Sequence, residues 1–191
     1  MKTSQFTHAG RGALLILTLV SGSWIGAASS AAASQAFAEY PDLTTTITTN
    51  PLGLINGRIN LEVERALSSA SSFYFGLNFL ILKPAVGQDV GERLFGIGPE
   101  IGLRFYLIGD APAGIYIGPY ADFAYLEKDG NSDFGWAAGG ALGVNLILAR
   151  VLVLTAGVGL GYERMQVDLD TGHAGAEGFD TRFRLGVGFA F

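Results

Sequence analysis

The chain has 191 residues, 49% of them hydrophobic and only 15% charged, with a formal net charge of −5, 28 glycines and no cysteine. That composition is too apolar for a disordered chain, supplies no disulfide framework and lacks the basic excess of a nucleic-acid binder. Glycine stands out at about twice the ~7% average usage, with no collagen-type repeat.

The N-terminus reads as a targeting segment. Lys2 and Arg11 open it, Ala13–Val20 is an apolar run, and a small-residue stretch ends in Ala36-Phe37-Ala38, an A-x-A cleavage pattern. The apolar run falls short of the roughly 20 residues that a spanning helix needs. Residues 1–38 are therefore expected to be a cleaved signal peptide, and 39–191 a single domain without disulfides.

From Thr44 onward apolar and polar residues alternate in segments separated by turn signals. Strands are expected near 44–55, 58–67, 72–82, 94–107, 115–126, 134–148, 151–166 and 179–191. Asn56-Gly57 is a hairpin signal between the first pair. In 94–107 one face carries Phe95, Ile97, Ile101, Leu103 and Phe105, and the other Gly96, Gly98, Glu100, Gly102 and Arg104. The long apolar stretch 134–162 could be a glycine-rich membrane helix, but its bulky and small residues sort by parity, which a helix does not require. A helix would also bury Arg150 in the bilayer, whereas a hairpin turning at Ala149-Arg150 explains both features.

Extending this parity to every strand divides the chain into two faces. Every phenylalanine after residue 38 falls on the apolar face, with Tyr125, Trp136 and Tyr162; Tyr74, Tyr106, Tyr116 and Tyr120 fall on the polar one. The polar face is too poor in lysine and too rich in glycine for a water-exposed surface. Arg65, Lys83 and Arg164 on the apolar side lie at strand ends, and the segments meet or exceed the roughly 9–11 residues of a tilted spanning strand. An all-β, eight-stranded, antiparallel up-and-down transmembrane barrel follows, apolar outside, with side chains filling its lumen. Connections at 68–71, 108–114 and 149–150 are read as short, and those at 83–93, 127–133 and 167–178 as the longer outer loops. Of the strand glycines from 72 onward, all but Gly140 fall on the lumen face.

The lumen is then expected to hold Arg58, Arg104, Arg182 and Arg184 against Glu62, Glu64, Glu100, Asp122, Glu163 and Asp180. Glu100, Asp122 and Arg184 are read at one mid-barrel level, with Glu62, Glu64 and Arg104 nearer the short-turn end. Charges at that depth need partners, and the planar fork of arginine serves several carboxylates at once.

Thr49-Asn50-Pro51-Leu52-Gly53-Leu54, followed by Ile59–Leu67, is similar to the opening of uncharacterised barrels in the OmpA/OmpX-like superfamily of small outer-membrane proteins. The ending Phe183–Phe191 resembles the signal read by the barrel-assembly machinery, with Phe189 and Phe191 as its aromatic residues. The resemblance implies a cell outer-membrane location and contact with membrane lipid and lipopolysaccharide. It also implies engagement of the assembly machinery during biogenesis, a monomer, and no cofactor or metal. No peptidoglycan-binding domain follows the barrel, so cell-wall tethering is not implied.

Barrel enzymes of that membrane mostly use a histidine. His173 lies in the 167–178 segment near Asp168 and Asp170 with no serine in the segment, which favours a solvated residue over a catalytic one. Asp168–Gly172 has the start of a calcium loop without the later ligands. The expected role is structural, in envelope integrity or surface interaction, with a plugged lumen. The alternatives are a narrow gated pore or an OmpW-like channel with a lateral opening for small solutes, and, more remotely, a lipid-modifying enzyme.

Overall fold

The computed structural model describes residues 42–51, 53, 57–82, 94–128, 130–169 and 172–191. The leader read over 1–38, Asn56 and the 83–93 connection with Lys83 lie outside the described residues. The strands are β1 (Thr45–Thr49), β2 (Arg58–Ser68), β3 (Ser71–Leu82), β4 (Leu94–Asp110), β5 (Ala113–Lys128), β6 (Asn131–Leu148), β7 (Leu152–Leu169) and β8 (Gly172–Ala190). Each pairs antiparallel with the next, and β8 returns to β1, which closes the sheet into a barrel.

Alternation decides which side chains enter. Along β2, Asn60, Glu62 and Glu64 are buried while Ile59, Leu61 and Val63 are exposed. The same parity leaves Phe75, Phe79, Phe105, Leu160, Phe183 and Phe189 on the outer surface. The barrel is thus polar inside and apolar outside, the reverse of a water-soluble sheet protein. The start of β1 and the C-terminal Phe191 lie at the end with the tight turns. There Thr45 and Phe191 exchange backbone hydrogen bonds of 2.9 and 3.0 Å. Leu43, Ala113, Ile147, Val153 and Ala190 form an apolar layer inside this terminal end. Leu80, Leu94, Leu126, Met165 and Val167 form another toward the distal end. The charged residues lie between them.

Several boundaries differ from the sequence reading. Strand β1 ends at Thr49 rather than 55, and β2 begins at Arg58; of the residues between them, 50, 51, 53 and 57 are described, and the turn read at Asn56-Gly57 falls partly outside them. Pro51 has no N–H to give a ladder, and Asn50 turns the chain: Gly53 N–H donates to both its backbone and side-chain oxygens at 3.2 Å. The connections read over 108–114, 127–133 and 167–178 are mostly strand. Glycine-rich 172–178 has weak strand propensity, but continuous pairing with β7 carries it into the ladder. Ala149-Arg150 is the turn, with φ of 49° and 63°, the left-handed geometry that suits a tight hairpin.

Closure is uneven. Strand β8 pairs with β1 only where Val187–Ala190 face Thr46–Thr49. Beyond that, Asn50 continues the seam with its side chain, donating to the Phe183 carbonyl at 3.5 Å and accepting from Leu185 N–H at 3.4 Å. Among the described residues, β8 from Gly172 to Thr181 has a sheet partner only in β7.

Gly188 sits in the closing seam opposite Thr48, and a Cβ there would lie 1.8 Å from the Ile47 carbonyl oxygen and 2.7 Å from Thr48 Cα. Gly188→Val is expected to prevent closure and abolish the fast-migrating folded band on unheated gels. Gly140→Ala, whose nearest neighbour would be 4.0 Å away, should leave that band intact.

Candidate functional site: the lumen charge network

Inward parity on β2, β4, β5 and β8 directs charged side chains at one another across the narrow lumen. Nearest the terminal end, Glu64 accepts from Tyr106 Oη at 2.5 Å and Asn145 Nδ2 at 2.9 Å, and also from Ser72 and Arg104. Arg104 also donates to Glu62 at 2.6 Å. Its guanidinium lies between two aromatic faces, 4.5 Å from the Tyr74 centroid and 4.6 Å from that of Tyr116. Arginine suits such a place because it stacks and forks at once.

Glu62 links to the next level, accepting from Arg184 Nη1 at 2.6 Å. Arg184 also pairs with Glu100, which accepts from Tyr74 Oη at 3.0 Å and from Asn78 Nδ2 at 3.2 Å. Asn78 then donates to Asp122 at 2.9 Å and accepts from Asn60 at 2.8 Å. Asp122 receives Arg58 at 2.7 Å and Arg182 at 3.0 Å. Arg182 reaches Asp180 at 3.3 Å and Glu163 at 3.4 Å, and stands over the Tyr120 ring at 5.0 Å.

The structure therefore brings Arg58, Glu62, Glu64, Glu100, Arg104, Asp122, Arg182 and Arg184 into one connected network, in which Asn78 joins Glu100 to Asp122. Asp122 stands opposite Glu100 in the β4–β5 ladder, but its arginine partners are Arg58 and Arg182, whereas Glu100 takes Arg184. Sequence reasoning did not give Asn60, Ser72, Asn78 and Asn145 their bridging roles. The signal was present in Asn145, a polar residue at an inward position within a long apolar run. Phe189 and Phe191 point outward and are exposed.

Small residues make room for this network. A Cβ on Gly143 would lie 2.5 Å from the Tyr116 hydroxyl, and one on Gly161 would lie 2.5 Å from that of Tyr120. His173 is not in a loop but in β8, opposite Asp168; Asp170 and Thr171 lie outside the described residues. Among the described residues no group of three or more His, Cys, Asp or Glu is placed to hold a metal ion.

No protein-family model matches the chain, and no curated protein matches it. Among solved structures it is similar to Ail, the attachment invasion locus protein of Yersinia pestis, at 14% identity and a TM-score of 0.36, over 78% of this chain and 96% of that one.

Removing one partner from a buried ion pair leaves the other charge stranded, which typically costs about 3–5 kcal/mol. Arg104→Met strands Glu64, leaves Glu62 with Arg184 alone, and is expected to lower unfolding free energy by that order in urea titrations of the folded protein. Adding Glu64→Gln to Arg104→Met should recover part of the loss.

Proposed function

We propose that the chain is a small integral outer-membrane barrel of the OmpA/OmpX-like kind. Its role is structural or in surface interaction, without catalysis, and its lumen is closed by its own side chains. The observation that carries this is the inverted distribution of polarity. Phe75, Phe79, Phe105, Leu160 and Phe183 are exposed while Glu62, Glu64, Glu100, Arg104 and Asp122 are buried. Contiguous apolar surface on that scale is unfavourable in water and suits a hydrocarbon surround. Aromatic side chains toward the distal end support an interfacial girdle: Trp136 packs on Tyr162 at 5.9 Å, Tyr162 on Phe179 at 5.8 Å, and Phe123 on Phe134 at 6.0 Å. On this reading the partners are membrane lipid and lipopolysaccharide. The assembly machinery engages the end of β8 through Phe189 and Phe191, and the protein is a monomer.

Closure of the lumen rests on Arg104, fixed between two tyrosines and two carboxylates, and on Arg184, which spans from Glu62 to Glu100. A gated pore is the second reading, because the Arg184 side chain is 23% exposed and could exchange partners more readily than Arg104 at 2%.

The test is solute flux in a liposome-swelling assay. The protein is expected to give swelling no faster than empty liposomes, and Arg184→Ala to raise flux or to lower the urea midpoint. Flux well above empty liposomes for the unaltered protein would reverse the two readings. If Arg184→Ala changes neither property, the network has no role.

A further inference from the structure

The charge network closes the middle of the barrel but borders a cavity of about 530 Å³, with Arg184 and Glu100 on the network side and Gly157 and Gly159 of β7 along one wall. That volume is in the range of small-molecule sites, roughly 300–1,000 Å³. Three independent features of this chamber point to the same class of ligand.

The first is an orphan polar group. Tyr120 lines the chamber and is 6% exposed, and its buried hydroxyl has no hydrogen-bond partner. A buried hydroxyl is rarely left unmatched in a finished structure. The second is charge. Arg58 and Arg182 converge on Asp122 at 2.7 and 3.0 Å, and Arg184 is held by Glu62 and Glu100. Glu163 and Asp180 are left to share Arg182 through its longer contacts of 3.4 and 3.3 Å, with side chains 16% and 36% exposed. Arg182 and Arg184 are committed through all the donors they turn to the carboxylates, Arg58 gives only Nη1 to Asp122, and the four carboxylates Glu100, Asp122, Glu163 and Asp180 outnumber these three arginines. The third is access. Asn50, Thr181 and Phe183 also line the chamber, so it reaches the seam where, among the described residues, β8 has no ladder partner in β1. Phe183 belongs to the apolar exterior.

We propose that this chamber binds a small organic cation with an apolar tail, of the alkylamine class, admitted sideways through the β1–β8 seam. The ammonium lies between Glu163 and Asp180 and donates to the Tyr120 oxygen, while the tail runs past Phe183 toward the exterior. An anionic headgroup would find uncommitted donors only on Arg58, already drawn to Asp122, and would face Glu163 and Asp180. Only the route of entry rests on the membrane reading above; the charge preference stands on the chamber itself.

The experiment is calorimetric titration of the protein in phosphatidylcholine nanodiscs with octylamine, octanol and octyl sulfate, each set against empty nanodiscs. Incorporation and the heat-modifiable band are read first, so that failure of the barrel to enter a bilayer is distinguished from failure to bind. Octylamine is expected to bind saturably at one site, with octanol and octyl sulfate at least tenfold weaker. Glu163→Gln with Asp180→Asn should weaken octylamine tenfold or more, and Tyr120→Phe several-fold, with the folded band unchanged. Octyl sulfate binding as tightly as octylamine would overturn the proposal, as would undiminished amine binding in the folded double variant. If the double variant does not fold, the charge series on the unaltered protein decides alone. For the route, Phe183→Trp in a Trp136→Phe background should be quenched saturably by a brominated octylamine. Binding without quenching would overturn entry at the seam.

Discussion

The hydrogen bonds between Thr45 and Phe191 bring the first and last strands together and close eight strands into a narrow ring, its interior packed with side chains on the terminal side of one chamber. Once the ring is closed, each inward position must be small or must fit its neighbours across the lumen. That is why large inward residues lie over glycines of neighbouring strands, as Tyr116 over Gly143 of β6 and Tyr120 over Gly161 of β7. Outward positions carry no such restriction, and there the phenylalanines collect.

Confinement also sets the chemistry of the interior. A carboxylate removed from water is stable only if it is paired and hydrogen-bonded, and the lumen has no room for independent pairs. The result is sharing: Glu64 takes donors from a serine, a tyrosine, an asparagine and an arginine, and Arg104 serves two carboxylates while stacked between two rings. Lysine could not do this, because it lacks both the planar fork and the face that stacks. A network of this kind fixes the relative positions of β2, β4 and β8 across the barrel, a task that an aliphatic core performs in a water-soluble sheet.

Much of this was legible because the period of two is so strict. Parity alone separates Phe95 from Gly96 and Glu62 from Val63, and the charges that share a face in the sequence meet in the lumen. What parity does not contain is which arginine each carboxylate takes: Asp122, opposite Glu100 in the ladder, takes Arg58 and Arg182 rather than Arg184. Strand ends were equally obscure. Gly172–Gly178 reads as loop because its strand character comes from β7, a partner that no local window includes. The early end of β1 had a signal in Asn50-Pro51, outweighed by the apolar residues that follow. The asparagines of the lumen carry no charge and so did not stand out, although Asn78 joins the Glu100 and Asp122 levels.

The short first strand and the chamber beside it are two consequences of one local event. Where β1 ends at Thr49, the described ladder on that side of β8 ends with it, and the Asn50 amide continues it for the next two backbone contacts. An unpaired edge is unfavourable wherever water is scarce, so a barrel can accept one only where polar groups or a ligand lie close by. Here the polar groups are at hand: Arg58, Asp180 and Arg182 all line the cavity that reaches the seam. The wall is therefore weakest where the interior is most polar and least filled. A full-length β1 would have closed the edge and removed the side entrance. Opening it elsewhere would have exposed either the apolar end layers or the interlocked arginines that hold the barrel together.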